Sequence, residues 1–237
     1  MNKKPVCMIT GVGDGTGAYT ARKFAKSGYQ VAMLARDKIR LSKLEKELPN
    51  SKAFICDVSD IDKLKNTCKK IKKEMGSPEV LIHNAVKGNF EKLLEGKPEW
   101  LEENFRINTT SLIYLAHELI PNMITNKKGV IIVTGNTAAK RGVANTPYFA
   151  PTKAAQRILA QSLAKDFGPK GIHVAYIMID AFINTPWTRK RIPAQIDQPD
   201  NIFTQPKEIA EEIYHIAHQN RSAWSFDVEI RPDIEKW

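Results

Sequence analysis

Short runs that are apolar throughout alternate along this chain with longer stretches in which apolar and charged residues recur at helical spacing. The runs are Pro5-Val6-Cys7-Met8-Ile9-Thr10, Val31-Ala32-Met33-Leu34, Ala53-Phe54-Ile55-Cys56, Val80-Leu81-Ile82, Val130-Ile131-Ile132-Val133 and Val174-Ala175-Tyr176-Ile177, with Trp224 to Ile230 as a last strand. Strands that carry no polar alternation are buried on both faces, and their alternation with helices makes the sheet parallel. The pattern predicts an α/β fold: a doubly wound parallel sheet with helices on both faces, in one domain over residues 1–237. The densest charged run, Lys69-Lys70-Ile71-Lys72-Lys73, belongs to such a helix, with Leu64, Cys68, Ile71 and Met75 on its apolar face.

Ligands of such sheets bind beyond the carboxyl ends of the strands. That rim collects Gly11 to Gly17, Arg36, Asp57, Asn84, Asn136 and Asp180. The first turn, Gly11-Val12-Gly13-Asp14-Gly15-Thr16-Gly17, lies between a strand and a helix from Ala18 to Lys26. Glycines there tolerate positive φ and let an anion approach the backbone, while the helix start aims free N–H groups at it, so a pyrophosphate is the natural guest. An irregular, proline-bearing segment from Pro186 to Pro206 reaches the same rim and reads as a cover over a pocket. Arg189-Lys190-Arg191 within it either meets an anionic substrate or forms a solvated basic turn.

Charge changes this picture little. The excess of lysine and arginine over acidic residues gives a formal net charge of +10, which raises nucleic acid or an anionic membrane as partners. The lysine run lacks the interleaved aromatics of a base-stacking platform. No apolar run reaches the roughly 20 residues of a membrane helix, and the first residues lack a signal peptide's apolar core. The expectation is therefore no nucleic acid and no membrane. Cys7, Cys56 and Cys68 have no metal-ligand spacing, so no metal is expected, and free thiols suit a reducing, cytoplasmic setting.

Thr10-Gly11-x-x-x-Gly15-x-Gly17, Cys56-Asp57-Val58, His83-Asn84-Ala85-Val86, Asn108, Lys153 and Ile183-x-Thr185 occur in the order found in the short-chain dehydrogenase/reductase family, which the whole chain resembles. The resemblance implies a Rossmann-like sheet of about seven strands, a nicotinamide dinucleotide and a homodimer or homotetramer formed through residues 100–125 and 147–167, with Trp237 against a neighbouring subunit. It places Gly11, Gly15, Thr16 and Gly17 on the cofactor phosphates, Asp57 beside adenine, and Asn84 near the cofactor. Lys153 falls on the nicotinamide ribose, and Ile183 and Thr185 face the carboxamide. Asn108 would anchor a catalytic water. Arg36, directly after the second strand, is where an arginine accommodates a 2′-phosphate, so NADP is favoured over NAD; Asp14 in the turn argues the other way.

The same resemblance makes the catalytic centre atypical. Counting back from Lys153 puts Phe149 at the position of the proton-donating tyrosine and Asn136 at that of the serine. Phenylalanine has no ionisable proton, so Tyr148, Asp180 or water is left to deliver one. Tyr148 lies about 100° around a helix from Phe149 and packing is its other role. Asp180 is either an acid in an apolar rim or a loop aspartate that hydrogen-bonds backbone. Asn136 or the neighbouring Thr137 would hold the substrate oxygen, and His173 reads as structural. Two functions follow: an NADP-dependent oxidoreductase acting on a small carbonyl or alcohol, or an NADP(H)-binding sensor or partner subunit without turnover.

Overall fold

A computed structural model describes residues 4–191 and 202–234. The strands are β1 (Val6–Thr10), β2 (Gln30–Ala35), β3 (Ser51–Ile55), β4 (Val80–His83), β5 (Gly129–Gly135), β6 (Ile172–Ile179), β7 (Phe182–Ile183), β8 (Phe203–Thr204) and β9 (Asp227–Ile230). Seven of them form one sheet in the order β3-β2-β1-β4-β5-β6-β9, every neighbouring pair parallel. The helices are α1 (Thr16–Lys26), α2 (Lys38–Glu47), α3 (Ile61–Glu74), α4 (Glu99–Phe105), α5 (Ser111–Thr125), α6 (Ala150–Phe167), α7 (Pro186–Arg191) and α8 (Pro206–Ala217).

Period-two alternation along the strands divides the core into two layers. Met8, Leu81, Ile131 and Val133 meet Leu64, Ile71, Leu112, Leu115 and Leu119 of α3 and α5 on one face. Cys7, Ile9, Ile82 and Ile132 meet Phe24, Leu41, Ile209 and Ile213 of α1, α2 and α8 on the other. All three cysteines are buried and unpaired, as packing residues would be. The edge strand β9 is tied to α6 by Arg157, whose guanidinium lies 2.5 Å from the Asp227 carboxylate.

Several features depart from the sequence pattern. The first helix begins at Thr16 rather than Ala18, so Thr16 and Gly17 belong to its first turn. The helix expected over residues 100–125 is interrupted by a π turn at Arg106–Thr110. His173 lies within β6 rather than before it, stacked on Trp224 and bonded to the Ser225 carbonyl at 2.7 Å, which keeps it structural. The cover contains α7 and a small parallel pair, Phe182↔Phe203 and Ile183↔Thr204. Residues 192–201 of that segment, and Trp237, lie outside the described residues.

β1 and β4 are neighbours at the point where successive strands turn in opposite directions along the sheet. The chain leaves β1 there through Gly11, whose φ is +69°. A β-carbon on Gly11 would stand 2.6 Å from the backbone N and Cα of Ala85, just past β4. Only glycine meets both demands. Gly11→Ala is expected to cost about 2–4 kcal/mol of folding stability, read as a lowered midpoint in urea unfolding; an unchanged midpoint would refute this close approach.

Candidate active site

The crevice starts at the amino end of α1. Gly15 occupies the cap position and supplies no side chain to the first turn; Ala18 N bonds the Gly13 and Gly15 carbonyls, which leaves the Thr16 and Gly17 amides as the open donors there. Gly17 passes so close to the preceding turn that a β-carbon would lie 2.5 Å from the Gly11 carbonyl oxygen. Thr16 Oγ1 is buried with no hydrogen-bond partner among the described residues. Open amides, an orphaned hydroxyl and a helix amino terminus suit a diphosphate. Asn84 holds this turn in place: its Nδ2 donates to the Gly11 carbonyl at 2.8 Å and its Oδ1 accepts from Thr134 at 3.0 Å. It acts on the turn from behind.

From the turn a cavity of about 480 Å³ runs along the ends of β2 and β3, lined by Arg36, Arg40, Asp37, Asp57, Val58 and Ile107. Arg40 was not singled out in the sequence. The available signal was its place four residues after Arg36, about one turn along. Both guanidiniums are already paired, Arg36 with Asp57 at 3.8 Å and Arg40 with Asp14 at 2.9 Å. Burial acts to raise the Asp57 pKa but is outweighed by hydrogen bonds from the Ser59 hydroxyl and N–H and by the charge of Arg36, leaving it below the ordinary value. Asp14 thus sits against the second arginine and tempers the positive field of the pocket.

A second cavity, of about 450 Å³, lies beyond the ends of β5 and β6 and is lined by Asn136, Thr137, Arg141, Phe149, Asp180 and Phe90 among others. Asn136 Oδ1 accepts from Ala138 N at 3.2 Å, which leaves its Nδ2 to donate. Phe149 is 2% exposed and packs on Phe90 with ring centroids 4.9 Å apart. Asp180 is the one carboxyl on this wall among the described residues. Thr185 meets the amino end of α1: its methyl lies 2.7 Å from where a Gly15 β-carbon would stand, and its hydroxyl accepts from Thr188 N at 3.1 Å to start α7. Ile183 is held beside it in β7.

Tyr148 does not join this group. Its hydroxyl donates to the Leu93 carbonyl and its ring stands edge-on to Trp100. Asn104 Nδ2 bonds its backbone oxygen at 2.9 Å. The expectation of Tyr148 as proton donor is corrected here: it precedes α6, its hydroxyl is taken by the Leu93 carbonyl, and it does not line the second cavity.

Behind the cavities lies a dry polar cluster. Lys153 is 2% exposed; its Nζ donates to the Thr134 carbonyl at 3.1 Å and to Gln156 Oε1. Gln156 Nε2 donates in turn to the Asn108 carbonyl, which also accepts from His83 Nε2 at 3.3 Å. Thr10 Oγ1 accepts from Asn84 N and Ala85 N, so its own proton goes to His83 Nδ1 at 3.1 Å. These roles fix His83 as the neutral tautomer with the proton on Nε2. Burial, then the charge of Lys153, lowers its pKa to about 4. The Asn108 side chain is fully used on Lys87 N, Lys87 O and Thr152 Oγ1. Asn108 was expected to anchor a water; its carbonyl accepts from two protein donors as well. Neither Gln156 nor the part played by His83 was foreseen; the only signal was Gln156 three residues after Lys153, on the same helix face.

Burial lowers the Lys153 pKa from 10.5 to about 7. The unfolded chain then holds a proton that the folded protein has released between those values, so this contribution is complete above 10.5 and is lost as pH falls through 7. A one-proton difference corresponds to about 1.4 kcal/mol per pH unit. Unfolding free energies of wild type and Lys153→Met, compared from pH 7 to 9, are expected to diverge, only wild type gaining this increment. Parallel curves would refute the buried, weakly basic lysine.

Comparison with known proteins agrees with this architecture. The short chain dehydrogenase family profile matches residues 5–195. A 3-oxoacyl-(acyl-carrier-protein) reductase of Thermotoga maritima is 27% identical over 226 residues, 92% of each chain. A metagenomic short-chain oxidoreductase solved with NADP superposes with a TM-score of 0.83 at 24% identity, covering 98% of both chains. An NADPH-bound short chain oxidoreductase of Pseudomonas aeruginosa PAO1, described as having an atypical catalytic centre, gives 0.87 at 22% identity over 98% of this chain and 97% of that one. With that profile spanning residues 5–195, the chain belongs to the short-chain dehydrogenase family.

Proposed function

We propose that the protein is an NADP(H)-dependent oxidoreductase for a small carbonyl/alcohol pair, working with a proton donor other than tyrosine. One observation carries the reading: the glycine turn before α1 lines a cavity bearing two arginines, and a second cavity bearing an amide and a carboxyl among aromatic rings opens beyond β5 and β6 of the same sheet. The nicotinamide group, when bound, supplies hydride transfer. The first-turn amides with Thr16 would hold its diphosphate, Arg36 and Arg40 the 2′-phosphate, Asp57 with Val58 the adenine side, Lys153 the ribose, and Ile183 with Thr185 the carboxamide.

The chain's own part in the chemistry is modest. Asn136 Nδ2 steadies the substrate oxygen. Phe149 and Phe90 exclude water and cannot move a proton. Asp180, across the same cavity, delivers the proton, and its loss would cost about 10²–10⁴-fold rather than all turnover, since water remains. Exposed Ile113 and Ile158 on α5 and α6 support assembly as a homodimer or homotetramer through these helices. A second reading, a nucleotide-binding sensor or partner subunit without turnover, draws on one observation: where the family resemblance puts a proton-donating tyrosine stands the buried ring of Phe149, tilted against Phe90.

Calorimetric titration should give tighter binding of NADPH than NADH. Arg36→Ala with Arg40→Ala is expected to weaken NADPH by about ten- to a hundredfold while leaving NADH within about threefold; equal losses for both would remove NADP as the cofactor. NADPH oxidation over a panel of aldehydes and ketones should fall in Lys153→Ala and in Asp180→Asn. Rates equal to wild type in both variants would sink the enzymatic reading. Saturable binding without oxidation of any carbonyl, with activity appearing only in Phe149→Tyr, would establish the second.

A further inference from the structure

The buried polar cluster behind the cavities has a composition that a merely structural core would not need. A lysine placed 2% exposed among apolar side chains costs much more than a leucine there unless its N–H groups are met. Lys153 meets the Thr134 carbonyl and Gln156 Oε1. Gln156 is itself fully buried, and its amide has one orientation open to it. The nitrogen must face the Asn108 carbonyl, which has only lone pairs, and that leaves the oxygen to accept from Lys153. The π turn at Arg106–Thr110 turns that carbonyl toward the cluster, since a widened turn breaks the regular helical ladder. His83 donates to the same oxygen from β4.

We infer that Gln156 is a positioning residue, whose single amide takes both hydrogen-bonding roles a water would take between Lys153 and the Asn108 carbonyl, fixing the lysine and sealing its inner end from solvent. The inference rests on Lys153 being a site residue, as proposed above, but not on any cofactor being bound. An amide held donor-to-acceptor at both ends passes no proton without a change of bonding. Proton exchange at the site therefore runs through the mouth of the aromatic cavity and not through the core. Among the described residues the titratable group facing Lys153 from a neighbouring element is His83, whose ionisation Lys153 opposes. His83 is neutral at working pH and contributes a fixed dipole. Lys153 is consequently held where small changes in its partners move its charge state, in line with its burial-lowered basicity.

The test uses the cofactor-free full chain with carbon-13 at lysine Cε, the Lys153 signal being assigned by its absence in Lys153→Arg. Gln156→Leu removes the acceptor and fills the space, so the Lys153 titration midpoint should fall. Gln156→Glu puts a carboxylate against the amine, so the midpoint should rise by about one unit or more. In folded variants, a midpoint that fails to move in these directions overturns the inference. Should either variant not fold, the wild-type protein decides. Gln156 side-chain amide protons that exchange with heavy water far more slowly than those of surface glutamines support the seal, and exchange at the surface rate overturns it. A protein that binds no dinucleotide yet passes these tests would refute the proposed function and leave this inference standing.

Discussion

Everything at the rim depends on how closely the first turn approaches the end of β4. Gly11 leaves β1 in a left-handed conformation with Ala85 backbone in contact, and Gly17 brings α1 onto the same turn. Asn84 and Thr10 then tie the two strand ends together through one side-chain amide and one hydroxyl. Within the turn Val12 N and Gly13 N bond the Leu34 and Gly11 carbonyls, which leaves the amides of Thr16 and Gly17 at the mouth of α1 for a guest. The same knot sets the His83 ring, and through it the Asn108 carbonyl. The anion-facing turn and the lysine cluster are thus two ends of one hydrogen-bonded assembly.

Much of the fold was legible in the sequence because both-faces burial leaves a plain mark: Val80-Leu81-Ile82 and Val130 to Val133 carry no polar interruption, and both became central strands. The turn at Gly11 to Gly17 was legible for a similar reason, since steric demand admits few residues. Arg36 was placed by its position after β2. What escaped depends on side-chain direction or on distant partners. Arg40 looks like any arginine of an exposed helix until α2 is docked beside the cavity. Gln156 reads as a surface glutamine on α6 until Lys153 and Asn108 close around it. Tyr148 and Phe149 are adjacent in sequence, yet one faces Leu93 and the other faces the cavity. The pairing of Phe182 with Phe203 joins strands two residues long, too short to leave a periodic trace.

The two cavities differ in their physical character. The outer one balances its arginines against Asp14, Asp37 and Asp57 near the surface, where screening is strong and pairs exchange readily. The second mixes the rings of Phe90, Phe149 and Phe182 with Asn136, Arg141, Asn145 and Asp180, while Lys153 and its partners are buried in the protein. No helix among the described residues is long and apolar enough to cross a membrane.

The widened turn at Arg106–Thr110 has an effect beyond freeing one carbonyl. A single extra residue in a helical path advances the chain by about 100°. The segments on either side are therefore out of phase with each other: Asn104 points at the Tyr148 backbone, while Leu112, Leu115 and Leu119 point into the sheet. Without that inserted residue a continuous rod could present only one of these faces correctly. The bulge works as a clutch between two helical segments, letting α4 meet the backbone ahead of α6 while α5 follows the core.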